Sequence, residues 1–371
     1  MLIGKNTCFL PNVMYTWPQS HLKCRRGGEI AVFGFRKMQK KIDKKFAILN
    51  VLKEQTRPVS SAKITELLSL GSLVFSERTV RLYLRELDAE GLTIPHGRKG
   101  RVITEAGRAE LQSSTTRQLP GTMSAKIDQM IYRMTFDLPT RSGTVVVNTS
   151  LVDPDQLADC VEPVCKVFAK GFAMGKLMTL LRPGETIGEV LVPEGRVGFC
   201  TVCSITINGI LLKHGIPMAS RFGGLLEVRD GKALRFTEII HYGGTSIDPL
   251  EVFIRSGMTN YHGAIQDGNG LIGASFRELP SESRQRLINI GQRLEEVGLG
   301  AIMELGLPEQ PLLDIPVPSG RVGAIIVGGL NPIAVLEERE HRIFSRALSG
   351  LIEYDRLFRF EEFPRRLQSY L

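Results

Sequence analysis

Pro193-Glu194-Gly195-Arg196-Val197-Gly198 returns about 125 residues later as Pro318-Ser319-Gly320-Arg321-Val322-Gly323. The match extends in both directions. Gly175, Met178, Leu180 and Pro183 correspond to Gly300, Met303, Leu305 and Pro308, and Leu211 corresponds to Leu336. With slips of one residue in either direction, Gly224-Leu225-Leu226-Glu227 answers Gly350-Leu351-Ile352-Glu353, and Arg235-Phe236-Thr237-Glu238 answers Arg359-Phe360-Glu361-Glu362. Self-similarity at a fixed offset marks a duplicated supersecondary unit. Residues 147–239 and 272–363 are therefore read as two copies inside one domain, 123–371. Each copy predicts a strand, a helix (Pro154 to Lys170; Ser281 to Val297), then a strand from Arg196 or Arg321 that feeds another helix. The fold class is mixed α/β, and the strand order is not legible from the pattern.

Before this domain lies a polar linker, 113–122, and before the linker a unit with a different period, 38–112. From Lys40 to Lys53 the apolar residues Ile42, Phe46, Ile48, Leu49 and Leu52 keep helical spacing until Pro58 stops the pattern. Ser60 or Ser61 caps a second helix carrying Ile64, Leu67 and Leu68, which ends near Gly71. Ser76 caps a third, running to Gly91 through Val80, Tyr83, Leu84 and Leu87. Leu92 to Ile103 reads as two short strands around a basic, glycine-containing tip, and a helix from Glu105 to Leu111 closes the unit. Three helices and a hairpin predict a winged helix-turn-helix. In its third helix Arg78, Arg81 and Arg85 share one face, with Thr79 beside them. The wing adds Arg98, Lys99 and Arg101. Arginine on a helix in the major groove can pair with guanine while its neighbours bond phosphate. These seven residues are the expected contacts to double-stranded operator DNA.

Charge agrees with that polarity. The net charge of the 371 residues is +8, yet residues 1–117 carry 21 Lys/Arg against 10 acids and residues 118–371 carry 26 against 29. The basic end is the one expected to meet a polyanion. No apolar run reaches the ~18 residues of a bilayer span, no secretory signal opens the chain, and six cysteines are too few for a disulfide scaffold. A cytoplasmic location without membrane contact follows. Residues 1–37 show no period and are read as a disordered extension or a start codon assigned too early, since Met38 opens directly onto the first helix.

The repeat also sharpens a candidate ligand site. Asn331, followed by Pro332, is the expected N-cap of a helix in the second copy, and by register Thr206 caps its counterpart in the first. The strand Val197 to Val202 then ends in the turn Cys203-Ser204-Ile205, just ahead of a helix N-terminus, where free N–H groups and the helix dipole favour anions. Cys200, Thr201, Cys203, Ser204, Thr206 and Asn208 are the expected effector-binding residues, with Arg221 as a fork for a carboxylate. Cys200 and Cys203 also have the spacing of a redox pair or half a zinc site, which Cys160 and Cys165 would complete. Residues three apart on a strand face opposite sides, so no metal site is expected. Without a nucleophile elbow, a carboxylate pair or a Walker-type loop, no catalytic residue and no cofactor are expected either. The alternative is a cysteine- or metal-dependent α/β enzyme with an accessory DNA-binding domain.

The strings Val197-Gly198-Phe199-Cys200-Thr201-Val202-Cys203-Ser204, Asn208-Gly209, Gly215-Ile216-Pro217 and Arg221-Phe222-Gly223-Gly224-Leu225-Leu226-Glu227 resemble the regulatory domain of the NrpR family. So does Tyr242-Gly243-Gly244-Thr245-Ser246-Ile247-Asp248-Pro249-Leu250-Glu251. The resemblance covers about residues 38–365. It implies an archaeal-type nitrogen-responsive repressor of nitrogen-assimilation genes, released from its operators when 2-oxoglutarate binds. Members of the family carry a winged helix followed by one or two regulatory domains. The single one here implies a homodimer, or a heteromer with a second regulatory-domain subunit. On the residues alone the ligand is only a small anion, and citrate, a nucleotide or an amino acid satisfies the same chemistry.

Overall fold

The computed structural model describes residues 44–55, 57–70, 75–108, 110–111, 122–341 and 343–371. The expected extension 1–37, the start of the first helix, the helix end near Gly71 and nearly all of the linker lie outside the described residues. Two separate hydrophobic clusters form.

The first belongs to the N-terminal unit. Helices α1 (44–53), α2 (Ser61–Leu70) and α3 (Glu77–Ala89) bury Leu49, Leu52, Ile64, Leu68, Val80 and Leu84 against one another. Helix α3 begins where it does because Ser76 is extended and its Oγ accepts the Thr79 N–H at 3.2 Å, while Glu77 sits at the positive end of the dipole. Strands β1 (Thr93–Pro95) and β2 (Arg101–Ile103) pair antiparallel, with Ile94 opposite Val102. Val59 joins them: its N–H donates to the Arg101 carbonyl at 2.9 Å, and the Arg101 N–H returns the bond at 3.0 Å. The hairpin is thereby tied to the segment before α2, with Gly97–Lys99 forming its tip.

The second cluster fills the C-terminal domain, entered through α4 (Thr122–Arg133). The first copy of the repeat supplies β3 (Thr144–Val152), α5 (Pro154–Asp159), α6 (Val161–Ala169), β4 (Leu177–Leu181), the small hairpin β5 (Thr186–Ile187) and β6 (Val190–Leu191), β7 (Val197–Val202), α7 (Ile205–Lys213), β8 (Ala219–Arg229) and β9 (Lys232–His241). Helices α8 (Pro249–Arg255) and α9 (Tyr261–Gln266) connect it to the second copy. That copy supplies β10 (Gly270–Pro280), α10 (Arg284–Glu296), β11 (Ile302–Leu305), β12 (Arg321–Val327), α11 (Asn331–Glu338), β13 (Phe344–Glu353) and β14 (Phe358–Arg359), before α12 (Phe363–Leu367).

The two copies do not make one sheet each. One antiparallel sheet has the order β13-β3-β7-β4-β14 and the other β11-β12-β10-β8-β9. Each copy therefore lends its last strands to the sheet of the other. Neither repeat unit closes a sheet alone, and one continuous core joins them. The single helix expected from Pro154 to Lys170 is broken at Cys160, which ends α5 and starts α6. Pro163 is the reason: it has no N–H to donate and its ring crowds the carbonyl four residues back, so the helix restarts with Pro163 in its first turn.

Candidate DNA interface and effector site

The expected DNA-binding residues fall into two groups. On α3, Arg78 and Arg85 are exposed and have no hydrogen-bond or ion-pair partner among the described residues. Leu82, 46% exposed, lies between them on the same face and offers an apolar contact of the kind that meets a thymine methyl. Arg81 is exposed but held, its Nη2 donating to Glu77 at 2.6 Å and its Nε to the Ser61 hydroxyl at 3.2 Å. Thr79 stands beside the cap, its Oγ1 2.8 Å from Ser76 Oγ. Lys99 is exposed at the wing tip; Arg98 shares that turn, and its side chain lies outside what is described. Arg101 departs from expectation. Its Nε donates to Asp88 at 2.8 Å, and Asp88 also accepts the Thr93 hydroxyl at 2.6 Å, so Arg101 fastens the base of the hairpin to α3 and does not reach outward from the tip.

The turn after β7 is built differently from its sequence reading. Helix α7 starts at Ile205 with Ser204 in the N-cap position, and Thr206 is already helical. Its Oγ1 serves β3 instead, at 3.2 Å from both the N–H and the carbonyl of Val146. Asn331 likewise is no N-cap: Leu330 holds that position, and the Asn331 amide donates to the carbonyls of Phe172 and Gly273, each at 2.8 Å. The small residues of the two turns serve close packing. Thr201 Oγ1 donates to the Gly329 carbonyl at 2.6 Å, and a side chain on Gly329 would collide with Val202 and Cys203.

A fully buried cation fills the space expected to hold an anion. Arg277, on β10, donates from Nε to Ser275 Oγ at 3.1 Å, from Nη1 to the Ser204 carbonyl at 3.0 Å and to Asn208 Oδ1, and from Nη2 to Ser204 Oγ at 2.6 Å. Burial lowers its pKa from the usual guanidinium value. Ser204 and Asn208 are therefore occupied by protein donors. Cys200 and Cys203 are buried, and burial pushes both thiols up to about 12, far from thiolate chemistry. Arg221 points away to Glu278, 3.4 Å distant, and is half exposed. The structure gathers the residues from Cys200 to Asn208 but engages their side chains internally.

Beside this turn opens a cavity of about 540 Å³, within the ~300–1,000 Å³ range of small-molecule sites. Its walls are α4, the approach to α8, the tip of the β5–β6 hairpin and an irregular stretch of β13. There the pairing with β3 jumps from Arg346–Thr149 to Gly350–Val147, leaving three residues opposite Asn148. Leu348 adopts φ 49°, and its N–H donates to Asn148 Oδ1 at 3.1 Å. Lys126, Arg133 and Arg346 bring positive charge, Asp248, Glu251 and Glu189 negative. Two of the acids have structural duties. Asp248 caps α8, accepting the N–H of Leu250 at 2.9 Å and of Glu251 at 3.4 Å, while burial pushes its carboxyl up to about 6. Glu251 binds Arg255 at 3.0 Å and accepts the Ala347 N–H at 3.3 Å.

Residues 121–359 match the model of the NrpR regulatory domains NRD1 and 2. The chain belongs to the NrpR family. Residues 46–111 match the ribonuclease R winged-helix domain, so an NrpR regulatory domain follows a winged helix here. Relatives of this NrpR chain include the global nitrogen regulator NrpRI of Methanosarcina mazei, 33% identical over 85% of this chain and 98% of that protein. Global nitrogen regulators NrpR of Methanocaldococcus jannaschii (31%, 86% of this chain) and Methanococcus maripaludis (30%, 78% of this chain) match over 55% and 50% of their own lengths. The chain thus spans about half of those two longer relatives. A nitrogen repressor-like protein from Methanococcus jannaschii superposes with a TM-score of 0.54 at 26% identity, covering 64% of this chain and 97% of that one.

Within this NrpR architecture, sequence reasoning missed Arg277, Arg346, Thr122 and the paired acids Asp248 and Glu251. Asp248 carried a usable signal, because Asp followed by Pro249 is the same cap-and-proline signature that was read at Asn331-Pro332. Arg277 and Arg346 lie on strands, and their partners Ser204 and Glu110 are 73 and 236 residues away in the chain.

Proposed function

We propose that this protein is a sequence-specific transcriptional repressor of nitrogen-assimilation genes, released from operator DNA by 2-oxoglutarate. The observation that carries the DNA-binding half is the pair of exposed, unpartnered arginines on α3, Arg78 and Arg85, flanking Leu82 beside a wing that presents Lys99. Recognition helices read the major groove with side chains free of intramolecular commitments. Family membership and the names of the relatives support the nitrogen-regulatory half; 2-oxoglutarate, a dicarboxylate, is the effector that the sequence resemblance implies. The turn residues expected to bind it are closed by Arg277, which favours the adjoining cavity as its place. Two winged helices addressing a palindrome require a second copy of the chain or a second regulatory subunit. The buried, high-pKa thiols of Cys200 and Cys203 give no support to the enzymatic alternative.

The test uses DNA that the full chain selects from a random-sequence library, followed by fluorescence anisotropy with and without 2-oxoglutarate. The expected result is a common motif with two half-sites and an affinity that falls ~5- to 150-fold on adding ligand. Recovery of no shared motif overturns the repressor reading. A motif bound equally well at millimolar 2-oxoglutarate overturns the effector alone.

A further inference from the structure

The cavity beside α4 is lined by two buried polar atoms that have no hydrogen-bond partner among the described residues. Arg346 lines it and is 6% exposed, yet its Nη1 has no hydrogen-bond partner among the described residues. Thr122 Oγ1, at the opening turn of α4, is buried and equally unpartnered. A buried donor left without an acceptor keeps the full desolvation penalty, larger still when it is charged, so such groups are rare in folded proteins. Leu348, two residues beyond Arg346 in the same wall, is held at a positive φ in the core, a conformation that persists where the surroundings impose it.

The other end of the same guanidinium faces the DNA-binding unit. Arg346 Nη2 bonds Glu110 Oε2, and Glu110 belongs to the helical segment that closes the winged helix. Both partners are more than nine-tenths buried. Neighbouring contacts brace the strand. Arg255 donates to the Ser345 carbonyl at 2.6 Å, and Glu251 receives the Ala347 N–H. One cation therefore stands between a carboxylate of the winged helix and the cavity.

We propose that the cavity binds a small carboxylate through Arg346 Nη1 and Thr122 Oγ1, and that the bound anion competes with Glu110 for Arg346, loosening the winged helix from the regulatory domain. The inference rests on the reading that a dicarboxylate releases the protein from DNA, and adds where it binds and which contact it weakens. A dicarboxylate suits the site, since one carboxylate reaches Arg346 while Arg133, exposed on α4, lines the same cavity. Asp248 and Glu251 do not cancel this attraction, being taken up by the α8 N-terminus and Arg255. Linkage gives the proposal a signature. If the anion and Glu110 compete, removing the Glu110 charge tightens ligand binding, and the same change weakens DNA binding when the docked form is the DNA-binding form.

Calorimetry with 2-oxoglutarate on the full chain tests this, using wild type, Glu110→Gln, Arg346→Met and Thr122→Val. Arg346→Met should weaken binding at least tenfold, and Thr122→Val about fivefold, the equivalent of one hydrogen bond. Glu110→Gln should strengthen ligand binding ~5-fold or more while lowering affinity for the selected DNA. Thr122→Val keeps the shape of the side chain and decides the matter if Arg346→Met fails to fold. Tighter binding in Glu110→Gln is an effect that a purely structural ion pair does not produce. If wild type binds and Thr122→Val and Glu110→Gln bind identically to it, the cavity is overturned while 2-oxoglutarate sensing stands. If wild type gives no heat at millimolar ligand, sensing fails and the cavity assignment fails with it.

Discussion

The arginines of α3 and those of the regulatory domain stand in opposite physical situations. Arg78 and Arg85 are exposed, have no hydrogen-bond or ion-pair partner among the described residues, and are held in place by the opposite face of their helix, where Val80, Leu84 and Leu87 are packed. Arg277 is fully enclosed and binds Ser204, Asn208 and Ser275, all neutral. Arg346 is enclosed between Glu110 and the cavity beside α4. An exposed arginine can be removed without harming the fold, and its donors are available to a partner. A buried one has already been desolvated, so its donors must be satisfied by the protein or by a ligand. The contrast separates arginines left available to a partner from those already enlisted by the fold.

That contrast is open to direct attack. The largest expected effect is Arg277→Ala. It strands the Ser204 carbonyl and hydroxyl and Asn208 Oδ1 without donors inside the core, which should cost about 3 kcal/mol or more of stability. Equilibrium denaturation checks it, and a loss near zero would mean that the turn after β7 does not depend on this cation. A smaller effect separates two wing residues that the sequence places side by side. Arg101→Ala should cost about 1 kcal/mol through the loss of its bond to Asp88, and leave the salt dependence of DNA binding unaltered. Lys99→Ala should leave stability unaltered and reduce the salt slope by about one. The reverse pattern would place Arg101 on the DNA backbone.

The DNA-binding unit was legible because its signals are local. Helical spacing of Ile48, Leu49 and Leu52, the Ser76 cap and the glycine-containing tip each act within a few residues, and the fold reproduces them. Strands β7 and β12 and helices α7 and α11 recur at the offset read from the repeat, since they descend from matching strings. The exchange of strands between the two sheets had no local signature, because antiparallel partners such as β3 and β13 lie about 200 residues apart. The cap residues were misplaced for a related reason. Thr206 and Asn331 are cap-forming types, yet each is recruited by a strand or loop of the surrounding sheets, which the pattern near the helix does not reveal. Arg101 and Arg81 show the same limit in miniature, since counting positive charges on a face cannot tell which of them the fold has already paired.

The most direct measurement is the affinity of the Arg78→Ala, Arg85→Ala double variant for the selected DNA, taken together with its melting temperature. Each arginine that contacts a base should contribute roughly 1–3 kcal/mol, so specific binding should collapse toward the level seen with random DNA while the melting temperature stays at that of wild type. Undiminished specific affinity in a variant that melts normally would contradict the placement of α3 in the major groove.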